Sequence, residues 1–206
     1  MKKLLLLVIL ILSLTNSFGQ SLKRNIGESA EKFVERTMTT EKSKIPGKVI
    51  ETKWNSETVI FAFIAVEVVL KNTKEKITTT NVNGYLFVPT GGNFYHKIFI
   101  DSYENEGAVA EVESVFFSNA DKDKQSELLI MCTWDQSRHY NISGKFYHTS
   151  VYDNIDLKNM PEKLKRLNKF EKIFEEFDGT NDSGETSIAK YTNAVKVKRK
   201  LKELGF

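Results

Sequence analysis

Residues 58–70 read TVIFAFIAVEVVL, and the alternation of their apolar side chains decides the fold class. Successive side chains of a strand point to opposite faces of the sheet. Here both alternating sets are apolar, so the strand belongs centrally in a sheet covered on its two faces. Residues 128–132, LLIMC, carry the same signature. By contrast, residues 109–116 place Ala110, Val112, Ser114 and Phe116 on one face and Glu111 and Glu113 on the other. That pattern predicts a strand with one wet side.

Working outward from these runs, residues 47–152 are rich in β-branched and aromatic side chains. Turn signals at Asn83-Gly84, 89–93, 105–107, 119–124 and 141–144 break them into six or seven strands. The connections are too short for crossover helices, so antiparallel hairpins are expected. Upstream, Leu22, Ile26, Ala30, Phe33, Val34 and Met38 recur at spacings of three and four, predicting an amphipathic helix over 22–40 closed by Pro46-Gly47. Downstream, Pro161 precedes a stripe of Leu164, Leu167, Phe170, Ile173, Phe174 and Phe177, predicting a second helix that ends before Gly179. After a turn-rich segment at 178–185, a third helix is expected from about Thr186, carrying Ile188, Tyr191, Ala194, Val197, Leu201 and Leu204. The expected architecture is therefore α+β: an antiparallel sheet of six to seven strands with one N-terminal and two C-terminal helices. No repeat or low-complexity linker divides residues 20–206, which are expected to form a single domain.

The first nineteen residues stand apart. Lys2 and Lys3 precede the apolar run 4–12, and Ser17 and Gly19 supply small residues before Gln20, the pattern of a cleavable signal peptide. Nine apolar residues are too few to span a bilayer, and the second apolar stretch, 59–66, is also short and ends at Glu67. No cysteine stands at the cleavage site for lipid attachment, so a soluble secreted or periplasmic protein without an integral membrane segment is expected. Removing Lys2 and Lys3 from 30 basic residues leaves 28 against 27 acidic ones, a net charge of +1. Non-specific nucleic-acid binding needs a field from many clustered cations, which this balance does not supply. Cys132 is the single cysteine and sits in an apolar strand run, where it reads as a small buried hydrophobe.

The most specific local motif is Asn119-Ala120-Asp121-Lys122-Asp123-Lys124-Gln125-Ser126-Glu127-Leu128, lying between two strand patterns. Asn119, Asp121 and Asp123 offer oxygens from alternate positions of a tight loop, and Glu127 is placed to close the site. Hard oxygen donors at this spacing suit calcium, which takes six to eight of them in flexible geometry. These ten residues resemble the calcium loops of FG-GAP, integrin-alpha-type repeats, with Lys124 in the place of their glycine and Asn119 in that of their first aspartate. The resemblance implies a calcium ion held by Asn119, Asp121, Asp123 and Glu127 and implies no activity.

Other candidate chemistry is less organised. His96, His139 and His148 lack the spacing of a zinc-ligand pair. Asp135 precedes His139 by four residues, but no nucleophile motif accompanies them, and G-x-S-x-G is absent. Glu111 and Glu113 stand two apart on one strand face, where they cannot oppose each other across a cleft as glycosidase carboxylates must. Lys190, Lys196, Lys198, Arg199, Lys200 and Lys202 read as the solvated back of a core-packed helix. The expected role is thus a non-catalytic secreted binding module, calcium-stabilised at 119–127. Phe94, Tyr95, Trp134 and Tyr140 are its candidate contact surface for a glycan or protein. The alternative is a hydrolase of cell-envelope or extracellular polymers using Asp135 and His139, or carboxylates from separate strands. An enzyme predicts a pocket holding a titratable group with a displaced pKa beside a second polar group.

Overall fold

A computed structural model describes residues 21–40, 43, 47–70, 77–136 and 143–206. The apolar leader 1–19, His139 and Tyr140 lie outside these residues. Ten strands among the described residues build two antiparallel five-stranded sheets. In the first, β2 (Lys48–Trp54), β3 (Glu57–Val69), β4 (Thr78–Gly91) and β5 (Phe94–Tyr103) follow one another, and β1 (Ser21–Lys23) returns to the far edge of β5. The second is a meander of β6 (Glu111–Ser118), β7 (Glu127–Asp135), β8 (Ser143–Tyr152), β9 (Glu175–Thr180) and β10 (Thr186–Ser187).

Residues 59–64 are buried on both faces as the alternation of 58–70 predicts, while Val69 and Leu70 at its end are exposed. Val59, Phe61 and Phe63 enter a core shared with Leu128, Ile130 and Cys132 of β7, so the two sheets pack face to face. Ile60, Ala62 and Ile64 point the other way, beneath helix α1 (Ala30–Met38), whose Phe33 and Val34 are fully buried. The second sheet is covered likewise. Leu129 and Met131 meet Phe170 and Phe174 from a 3-10 helix (Asn168–Ile173) and its end, with Val197 and Leu201 from helix α2 (Ala194–Glu203). The central strands of both sheets are thus dry on two sides. Each fully buried phenylalanine contributes about 1.5–3 kcal/mol.

The fold corrects the sequence reading in several places. Asn83-Gly84, expected as a turn, lies inside β4 opposite Ile64 and Phe63 of β3, where the pairing with β5 shifts register. The expected single sheet of six to seven strands is two sheets of five, because residues 104–110 carry the chain from one layer to the other instead of closing a hairpin. A turn-rich stretch looks alike in both cases. The N-terminal helix is shorter than 22–40: Leu22 lies in β1, and Ser29 caps α1 by accepting from the Lys32 amide at 3.3 Å.

The expected helix over 161–177 is an irregular strap, a 3-10 helix and strand β9. Its apolar stripe is real, but the three-residue spacing of Leu167, Phe170 and Ile173 also fits a 3-10 turn, and Phe177 sits opposite Phe146 in a strand pair. Gly144 and Gly179 face each other in that pair, where a Cβ on Gly144 would run into the Asp178 carbonyl and the Phe177 ring. The last helix begins at Ala194, capped by Asn193 Oδ1 accepting from Lys196 at 3.0 Å; Thr186 and Ser187 are strand residues, and Ile188 is exposed.

β6 departs from strict alternation. Between Val112 and Ser114 the pairing with β7 slips at a bulge. Before it Ala110 and Val112 face the inter-sheet core, and after it Val115 and Phe117 do, leaving Phe116 on the outer face. A bulge inserts one residue and so exchanges the two faces.

Candidate metal centre

The β6–β7 connection, residues 119–126, is organised by its own side chains. Asn119 Oδ1 accepts from the Asp121 amide at 3.2 Å, Asp121 Oδ1 from the Asp123 amide at 2.8 Å and Asp123 Oδ1 from the Gln125 amide at 2.6 Å. Three successive Asx turns wind the loop. Asn119 Nδ2 closes it by donating to the Asp123 carbonyl at 2.9 Å. Lys124 keeps negative φ, since Asn55 is the one non-glycine residue with positive φ among the described residues. This loop therefore closes without the left-handed turn for which the FG-GAP pattern uses glycine.

Asp121, Asp123 and Glu127 each bring an oxygen within 4.8 Å of the others. That span matches the diameter of a shell of oxygens ~2.3–2.6 Å from one calcium ion. Glu127, the first residue of β7, is completely buried. One of its carboxyl oxygens accepts from the Ala120 amide; the other, Oε1, has no hydrogen-bond partner. Burial raises its pKa above the usual carboxylate range, and the neighbouring Asp121 and Asp123 push it further up. Among the described residues no lysine or arginine forms a salt bridge with any of the three acids. The donor set fits a hard divalent cation: it has oxygens only, clustered negative charge and one buried oxygen wanting a partner. Asn119 belongs to the same loop through its hydrogen bonds.

A second polar cluster ties the sheets together. The strap runs between them: the Phe99 amide donates to the Glu162 carbonyl and Leu164 to Phe99, both at 2.9 Å, while Leu167 donates to Val151 of β8 at 2.8 Å. From the strap Arg166 and Lys163 reach Asp101 at 3.4 and 3.2 Å. Tyr152 donates to Asp101 at 3.1 Å and lies 3.1 Å from the Tyr103 hydroxyl. Arg166 also meets His148 Nε2 at 2.9 Å and Glu171 at 3.0 Å. Here His148, with Cys132 opposite it on β7, lines a cleft of about 300 Å³.

This is the pocketed histidine that the enzyme alternative asks for, at a position the sequence reading passed over. Burial and the Arg166 charge lower its pKa. The guanidinium can only donate, so it occupies the Nε2 lone pair that a general base would use. Burial pushes the Cys132 thiol far up, away from the thiolate needed for nucleophilic chemistry. The cleft's chemistry is that of a structural ion-pair network, in which Arg166 Nε is buried and lies 3.0 Å from Glu171 without hydrogen-bond geometry.

The other candidates disperse. His96 lies in β5, paired with β1 and β4. Glu113 of β6 accepts from Thr133 at 3.0 Å and pairs with Lys145 at 3.3 Å. Of the expected aromatic contact surface, Tyr140 lies outside the described residues; Trp134 is buried with its indole donating to Glu104, and Tyr95 packs on Phe33, leaving Phe94 exposed. No helix among the described residues is long and apolar enough to cross a membrane. Comparison with family models, curated proteins and solved structures finds no match.

Proposed function

We propose that this chain is a secreted or periplasmic non-catalytic binding module, a single α+β domain over residues 20–206, whose β6–β7 loop is stabilised by calcium held by Asp121, Asp123 and Glu127 with Asn119 shaping the loop. The observation that carries the calcium reading is the unpartnered, fully buried Glu127 Oε1 beside two further carboxylates. An uncompensated buried carboxylate is costly, and a bound cation removes that cost. The cleavable-leader pattern at 1–19 supports export. The occupied lone pair of His148 and the protonated Cys132 thiol favour binding over catalysis.

The test is calorimetric titration of calcium into chelator-stripped protein lacking the leader, with thermal melts at both end points. Saturable binding and a raised melting temperature, both lost on Asp121→Ala with Asp123→Ala, is the expected result. Absence of heat and of any melting shift at millimolar calcium would refute the metal site.

A further inference from the structure

We propose that the groove beside the metal loop is a binding cleft for a neutral, hydroxyl-rich glycan, held in shape by the ion; this rests on the calcium reading above. The groove encloses about 580 Å³, inside the ~300–1,000 Å³ range of ligand clefts. Three segments build it: the β2–β3 turn at 54–57, the end of the metal loop at 124–125 and the stretch 154–158 that leaves β8.

These segments are joined through the loop itself. Trp54 Nε1 donates to the Ser126 carbonyl at 2.7 Å, and the Ser126 amide donates to Asn55 Oδ1 at 3.3 Å. On the other side Asn154 Nδ2 donates to Asp123 Oδ2 at 2.8 Å. Asp123 is therefore at once a candidate ion ligand and the clasp for one wall. Fixing its carboxylate fixes the distance between the walls.

The lining selects the ligand class. Glu57 and Asp156 balance Lys124 and Lys158, so the groove lacks the excess positive charge that phosphate or a polyanion requires and the excess negative charge that a polycation requires. Asn55, Gln125 and Asn154 present amides, each able to donate and accept. Sugar hydroxyls do the same. Leu157, 40 % exposed, adds apolar surface for the C–H face of a sugar ring.

The experiment titrates cellotetraose, maltotetraose, mannotetraose and chitotetraose into the protein at millimolar calcium and again after chelation. The calcium-induced melting shift is recorded separately in the same preparations. Gln125→Ala is the probe variant, because only its backbone amide serves the metal loop. The expected result is saturable binding of at least one tetrasaccharide in calcium, weakened more than tenfold by chelation. Gln125→Ala should weaken it about three- to tenfold, the worth of one neutral hydrogen bond, while the calcium shift stays intact. A normal calcium shift with no sugar bound overturns the glycan cleft and leaves the metal site standing. Absence of the calcium shift refutes the metal reading itself. Sugar binding that is indifferent to chelation overturns the ion's control of the groove.

Discussion

Two carboxylate clusters sit where the sheets meet other chain, and they are finished differently. At Asp101 every oxygen is matched: Oδ1 accepts from the Ser102 amide and Lys163, Oδ2 from Tyr152 and Arg166. At Glu127 three carboxylates converge with no lysine or arginine paired to them among the described residues, where one buried oxygen is left over. A carboxylate neutralised by the chain's own arginine and lysine is complete on folding. One surrounded by its own kind is relieved by a proton or by a bound cation, and the proposed calcium ion would serve as the second.

Breaking the matched cluster should have the largest effect. Asp101→Ala removes the acceptor shared by Arg166, Lys163 and the buried Tyr152 hydroxyl, leaving Arg166 with His148 and Glu171 and Tyr152 with Tyr103, and is expected to cost about 3 kcal/mol in chemical denaturation. Lowering calcium should not alter that loss. At the unmatched cluster the chain responds to the ion instead: free calcium at a hundredfold excess over Kd should add about 2.7 kcal/mol, measured by denaturation with and without chelator. The Asp121→Ala, Asp123→Ala protein should show none of this gain.

Glu127→Gln sharpens the contrast because it should stabilise. In chelated protein at neutral pH it removes a buried charge and lets an amide donate toward Asp121 or Asp123, a gain of about 1 kcal/mol in denaturant melts. The calcium response should vanish in the same variant. A loss of stability without calcium would mean that the cluster is already matched.

The smallest effect concerns His148 in the matched cluster. Its folded pKa lies below the ordinary histidine value of 6.5, so the unfolded chain takes up the proton more readily. Stability is then fully present above 6.5 and falls as the pH drops from there through the folded value. Denaturant melts across that window are expected to show this loss. His148→Gln keeps an acceptor for Arg166 and should flatten this part of the pH profile.

Much of this was legible in the chain. The double-sided apolarity of residues 58–70 and 128–132 announced strands buried on both faces, which holds over 59–64 and 128–132, because alternation is local geometry. The oxygen donors of 119–127 were legible for the same reason: a loop of alternate Asx residues folds on itself. The stripe from Leu164 to Phe177 misled, since a spacing of three satisfies an α-helix, a 3-10 turn and a strap equally well, and tertiary contacts chose among them. The Glu113 bulge was invisible, as nothing in the composition of 109–116 marks an inserted residue.

The sequence by itself determined which strands are buried twice and which loop gathers carboxylates, because these depend on neighbours within a few residues. Only the tertiary structure decided that residues 104–110 pass between two sheets, that Arg166 reaches Asp101 from 65 positions away and that Glu127 keeps an oxygen with no partner. Burial and charge matching are properties of which distant segments meet.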